Sequence, residues 1–131
     1  MTIAAGSFEI TMTTQPPDDH PDGSIIARQL LIKRYEGALS AEGRGQMLAV
    51  MGQTKGCAGY VALEVVSGTL DGRAGRFALQ HFGVMDHGRP ELRVAVVPDS
   101  GTDDLKGLSG VLTIDVASGK HAYSFDYQIT P

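Results

Sequence analysis

Glu64 and His81 are the two ionisable residues best placed to do chemistry together, because both lie on the arms of one predicted hairpin. Between them stands Asp71-Gly72, a dipeptide that favours a two-residue β-turn. Such a turn sets Glu64 opposite Leu79 and puts His81 on the same face, one diagonal step away. Diagonal neighbours are about 7–8 Å apart at the backbone, within reach of long side chains. Tyr60, Ala62, Val66 and Phe77 share that face. A carboxylate and an imidazole enclosed by apolar side chains have shifted proton affinities and suit acid and base roles in proton transfer or ring closure. The opposite face, with Val61, Leu63, Val65, Ala78, Gln80 and Phe82, is also apolar. If that second face fills the core instead, Glu64 and His81 form a surface pair worth at most about 1 kcal/mol. Which face is inside is therefore a question of register.

The remaining candidates are contacts for an organic ligand. Tyr123, Phe125 and Tyr127 alternate along the last strand, and Tyr35, Met47, Tyr60 and Phe77 are placed to line the same interior. Buried tyrosine hydroxyls either orient a ligand or satisfy nearby backbone groups. Methionine adapts equally to irregular ligands and to core gaps. Cys57 has no base beside it in sequence, which argues against a nucleophile. Asp18, Asp19, His20 and Asp22 sit in a proline-broken loop without a recognised ligand spacing, so no metal is expected. Gly43-Arg44-Gly45 is not followed by a helix N-terminus that could cradle phosphate, and it reads as a device of barrel curvature. No cofactor is expected.

The elements that must position these residues are strands. Seventeen glycines are spread so that few windows could hold a long helix. Turn dipeptides at Asp22-Gly23, Asp71-Gly72, His87-Gly88, Ser100-Gly101 and Ser118-Gly119 divide the chain into short runs. Eight strands are predicted, at about 6–14, 24–35, 38–51, 57–69, 73–84, 90–97, 107–117 and 120–129. Phe8, Ile10 and Met12 alternate with Glu9, Thr11 and Thr13, the pattern of a half-buried strand. A two-residue turn at Ser118-Gly119 sets Leu112, Ile114 and Val116 opposite Phe125, Tyr123 and His121, giving the last hairpin an aromatic inner face. Residues 24–35 fit the strand template less well, and a short helix competes there. Gln15 to Pro21 must be a loop, since its prolines lack amide donors.

Length and composition fit one globular domain over residues 1–131, with 42% hydrophobic residues and too little charge for disorder. The formal charge of −4 and the scattered basic residues argue against nucleic acid. No apolar stretch is long enough to span a membrane, and the first residues do not read as an export signal. A lone cysteine forms no internal disulfide, so a reducing, cytoplasmic setting is expected.

From Tyr35-Glu36-Gly37 and Gly43-Arg44-Gly45-Gln46-Met47-Leu48 onwards the chain resembles a bacterial domain family of unknown function with an allene-oxide-cyclase-like barrel fold. The likeness continues through Ala58-Gly59-Tyr60-Val61-Ala62-Leu63-Glu64, Gly68-Thr69-Leu70-Asp71-Gly72-Arg73, Leu79-Gln80-His81 and Val96 to Thr102. It ends in Leu105 to Gly110 and His121-Ala122-Tyr123-Ser124-Phe125. Asp99 stands where the family pattern has glycine. The resemblance implies an eight-stranded antiparallel barrel, related in shape to plant allene oxide cyclases and more distantly to bacterial cyclases that fold polyenes in an apolar cavity. It carries no mechanism with it.

The expected protein is an all-β barrel that binds a small apolar or amphipathic organic molecule in its interior, as a cofactor-independent cyclase or isomerase. Two alternatives are a non-catalytic carrier of such a ligand and a solid-packed structural module that forms a homo-oligomer.

Overall fold

In the computed structural model, which describes residues 2–16, 25–117 and 119–131, eight antiparallel strands close into one barrel in chain order. They are β1 (Thr2–Thr14), β2 (Ile26–Gly37), β3 (Leu39–Met51), β4 (Ala58–Leu70), β5 (Arg73–Asp86), β6 (Arg89–Val96), β7 (Leu108–Ala117) and β8 (Lys120–Ile129). The segment that competed with a helix is β2. Among the described residues the one helical element is a short 3₁₀ turn, Asp103–Leu105, and no helix there is long and apolar enough to cross a membrane. Asp18, Asp19, His20 and Asp22 lie outside the described residues.

Turn chemistry fixes the registers. Asp71 and Gly72 have φ of 48° and 83°, the left-handed pair that a two-residue hairpin turn needs. Glu64 consequently pairs with Leu79 and Ala62 with His81. In the last hairpin Leu112, Ile114 and Val116 face Phe125, Tyr123 and His121, as the alternation predicts. The barrel closes where β8 returns to β1, with Ala4 beside Phe125 and Phe8 beside His121.

Closure settles which face is inside. Ala62, Glu64 and Val66 on β4 and Phe77, Leu79 and His81 on β5 are buried, whereas Val61, Leu63, Val65 and Phe82 are 46–60% exposed. The surface-pair alternative for Glu64 and His81 does not hold.

The two ends of the barrel are packed differently. At the end carrying the β4–β5 turn, Leu39, Leu70, Leu105, Leu108 and Phe77 are essentially sealed from solvent. The chain between β6 and β7 closes this end. Val97 N–H donates to the Ala78 carbonyl at 2.9 Å, Ser100 Oγ accepts from Ala78 N–H at 3.0 Å, and Thr102 N–H donates to the Arg76 carbonyl at 2.8 Å. The segment thus pairs with the half of β5 that β6 does not reach, and it sets Leu105 as a plug. Asp99, in the same segment, has φ of 60°, a left-handed backbone conformation that glycine adopts without strain. At the opposite end the inward positions Gln29, Met47, Tyr60, Ile114 and His121 are only half-buried. That end is the mouth.

Candidate functional site

Among the described residues the buried charged side chains form one cluster. Lys33, Glu64 and His81 are 3%, 1% and 4% exposed, in a wall otherwise built of apolar and aromatic side chains. An unpaired charge there would be very costly, so the partners of each group matter. Glu64 Oε1 accepts from Lys33 Nζ at 3.1 Å and lies 2.9 Å from His81 Nε2, while Oε2 accepts from the Tyr35 hydroxyl at 2.5 Å. The Lys33 ammonium also stands 5.0 Å over the Phe8 ring and 5.9 Å over that of Tyr35, an attraction between cation and π face.

Strand β3 makes this convergence sterically feasible. Lys33 pairs with Gly43 and Glu64 with Gly45, so two glycines occupy the inward positions of the strand between them. A Cβ on Gly43 would lie 2.1 Å from Glu64 Oε2 and 3.2 Å from the Tyr35 ring. The glycines first read as aids to curvature clear the corridor through which Lys33 and Tyr35 reach the carboxylate.

The electrostatics follow from the contacts. Burial by itself pushes the Glu64 carboxyl up, but the hydrogen bond from His81, the Lys33 charge and the Tyr35 hydroxyl together outweigh it and hold the group below the usual carboxylate range. Glu64 is therefore ionised and can only accept. Tyr35 is pushed far up, by burial first and by the Glu64 charge second, and remains a neutral donor. Since the carboxylate only accepts, His81 Nε2 carries the proton in their shared hydrogen bond. His81 Nδ1 makes no hydrogen bond among the described residues.

The other candidates are arranged around this cluster. Met47 and Tyr60 are half-buried on the mouth side, on the same inner face as Ala62, and the Tyr60 ring covers Gly83. Phe77, Phe125 and Tyr127 stack on one another towards the sealed end, with centroids 5.9 and 5.4 Å apart. The Tyr123 hydroxyl accepts from Leu39 N–H at 2.9 Å and donates to the Glu36 carbonyl at 2.8 Å, so it holds the β2–β3 corner. Tyr127 donates to Asp71 at 2.5 Å, and its hydroxyl is pushed up to about 12 by burial and by that carboxylate.

Sequence reasoning missed Lys33, which shares the inward parity of Leu31 and Tyr35 on β2. It also missed that Cys57 meets Asp86 and His87. His87 N–H points to Cys57 Sγ at 3.4 Å, His87 Nδ1 lies 2.7 Å from Asp86 Oδ1, and the three possible metal-ligand atoms fall within 4.8 Å of one another.

Concave surfaces elsewhere do not coincide with the cluster. A groove of about 640 Å³ lined by Arg28, Arg44, Leu48, Val61, Leu63 and Gln80 lies on the outer face of β2–β5. It takes no part in the cluster's chemistry, because the cluster's side chains point into the barrel, away from it.

Residues 4–127 match a family described as protein of unknown function, DUF3224. The chain belongs to the DUF3224 family. A solved DUF3224 protein of unknown function from Shewanella oneidensis MR-1 is 39% identical to it. That structure superposes with a TM-score of 0.91, covering 100% of this chain and 98% of the other. No match is found among curated proteins. The likeness extends through every strand of this DUF3224 barrel, including β2 and β3, which bear Lys33, Tyr35 and Gly43.

Proposed function

We propose that the barrel binds a small apolar or amphipathic organic molecule at its mouth, above the buried cluster, and that His81 moves a proton on it in a cofactor-independent isomerisation or cyclisation. The observation that carries this reading is the ionised Glu64, gripped by Lys33, Tyr35 and His81 beneath a half-buried, largely apolar rim. Buried ionic clusters are expensive and concentrate at sites where proton affinity matters.

Roles follow from the filled and unfilled bonding positions. Glu64 has three donors on its two oxygens, so it is a positioning residue rather than the acid or base. It fixes the His81 tautomer with Nε2 protonated, which leaves the Nδ1 lone pair to take a proton from a bound molecule and return it to another atom. Such a reaction is redox-neutral and needs no co-reactant. Lys33, with only one of its three protons on Glu64, supplies a charge that stabilises an enolate or carboxylate held near the cluster. Met47, Tyr60 and His121 form the wall against which an apolar chain packs.

The test is a titration with decanoate and with decan-1-ol, followed by backbone amide chemical shifts. The expected result is shifts clustered at Met47, Tyr60 and His121, with decanoate preferred and the preference lost in Lys33→Met. Shifts confined to the outer face, or none at millimolar ligand, would overturn the reading. Recovery of an added β,γ-unsaturated ketone unchanged, after binding at the mouth, would favour carriage over catalysis.

A further inference from the structure

On the mouth side of the barrel two connections are tied to each other. The one between β3 and β4, residues 52–57, is folded back on itself: Gly52 N–H donates to the Cys57 carbonyl at 2.8 Å, and Cys57 N–H donates to the Thr54 carbonyl at 3.1 Å. The one between β5 and β6 is a two-residue turn, His87-Gly88, with φ of 50° and 85° between the paired Asp86 and Arg89. Gly88 N–H crosses to the Gly56 carbonyl at 3.0 Å. A Cβ on Gly56 would lie 3.1 Å from that same Gly88 nitrogen, and Gly56 itself has φ of 89°. Glycine at this position therefore lets the two connections meet, and their meeting sets Cys57 against Asp86 and His87.

We propose that Cys57, Asp86 and His87 bind one divalent ion of the zinc class, with solvent in a fourth position. An exposed Asp–His contact between adjacent residues is by itself a minor surface pair. Here a thiol from a connection 30 residues away completes a set of sulfur, nitrogen and oxygen donors. One ligand atom from each residue lies within 4.8 Å of the other two. Tetrahedral zinc, with bonds of about 2.0–2.3 Å, needs its ligand atoms about 3.3–3.7 Å apart, so closing the set takes side-chain movements of about 1 Å. The Asp86 and His87 side chains are 60% and 71% exposed and free to make them. Outer partners are in place as well. His87 N–H points to Cys57 Sγ at 3.4 Å, and Arg89 Nη2 stands 3.9 Å from Asp86 Oδ2, leaving Oδ1 to the ion. Thiolate and carboxylate together balance the charge of a divalent cation. Calcium and magnesium take oxygen ligands, so the thiolate and imidazole select against both. Binding releases the thiol proton to solvent, and nothing is oxidised or reduced. The ion clamps two connections at the rim and shares no residue with the Glu64 cluster.

The experiment is a titration of the whole chain, reduced and stripped with chelator, with cobalt(II) and then zinc(II). A cobalt–thiolate bond gives a near-ultraviolet charge-transfer band, and Cys57 is the chain's one cysteine, so the band reports this residue alone. The band is expected to saturate at one equivalent of cobalt, to bleach on addition of zinc, and to withstand a large excess of magnesium. Cys57→Ser should abolish it. Asp86→Asn and His87→Asn should each weaken cobalt binding at least about 10-fold. Asparagine suits the left-handed turn position at 87, so the second variant keeps the hairpin, with circular dichroism as the check. His20→Gln, in the acidic proline-rich loop, should bind cobalt as wild type does. Should Cys57→Ser fold poorly, the wild-type band and the two asparagine variants still decide the matter. Absence of the band up to millimolar cobalt overturns the proposal. So does undiminished affinity in either asparagine variant, or a band lost with His20→Gln.

Discussion

Removing either member of the Lys33–Glu64 pair should destabilise the barrel, and removing both should cost much less than the two losses added together. The Nζ–Oε1 separation is 3.1 Å and both side chains are at most 4% exposed. At an effective dielectric constant of about 20, charges this close attract by about 5 kcal/mol. Desolvation of the two ions offsets much of that, so the intact pair contributes little net stability. A single substitution is different, because it abandons the surviving charge in a medium that cannot solvate it. Lys33→Met leaves the carboxylate with His81 and Tyr35 alone, and Glu64→Leu leaves the ammonium with only the Phe8 and Tyr35 rings. Each single change should cost about 3–5 kcal/mol. The Lys33→Met, Glu64→Leu double variant should cost clearly less than the sum of the singles, because it leaves no unpaired charge and strands only the neutral Tyr35 and His81 donors. Urea unfolding followed by circular dichroism, at one fixed protein concentration, measures this, with the slope against urea checked for constancy. Singles that cost under about 1 kcal/mol, as for exposed pairs, would refute the reasoning. A double variant equal to the sum of the singles would refute it equally.

Other outcomes follow from the same contacts. Glu64 is held below its ordinary value of 4.5, so its stabilising contribution is complete above the unfolded-state value and is lost as pH falls through the folded-state value. Acid titration of stability should therefore be steeper for wild type than for Glu64→Gln below about pH 4.5, and equal slopes would contradict the ionised carboxylate. Gly43→Ala places a methyl 2.1 Å from Glu64 Oε2 and must displace a carboxylate pinned by three donors. Calorimetry should show a melting temperature lower by about 10 °C. Tyr123→Phe strands the buried Leu39 N–H, and chemical denaturation should register a loss of about 1–3 kcal/mol with the interior cluster untouched. Asp99→Gly relieves a non-glycine residue at φ 60°, and the same assay should show a gain of no more than about 1 kcal/mol.

Much of this was legible in the sequence, for identifiable reasons. Asp71-Gly72 and Ser118-Gly119 each specify a two-residue turn, and a two-residue turn fixes every pairing along its hairpin. The opposition of Glu64 to Leu79 and of Leu112 to Phe125 could thus be counted off. The inward face of β4 could not, because Val61, Leu63 and Val65 are as apolar as a core stripe. Only closure of all eight strands shows that they remain outside. The same ambiguity explains why an exposed stripe reads locally as interior. Lys33 was missed because a lysine between Ile32 and Arg34 reads as a solvated side chain. The available signal was its parity with Tyr35 together with two glycines at alternate positions of the neighbouring strand. The meeting of Cys57 with Asp86 and His87 joins the β3–β4 and β5–β6 connections, and no local pattern encodes that approach.

The most direct test of the site is the pair of ring nitrogen shifts of His81, measured in a protein with labelled histidine, with and without decanoate. The account predicts that Nε2 carries the proton in both states, tied to Glu64, and that added decanoate moves the Nδ1 resonance. A proton resident on Nδ1 with a bare Nε2, or an Nδ1 resonance indifferent to saturating decanoate while amides at Met47 and Tyr60 shift, would contradict it.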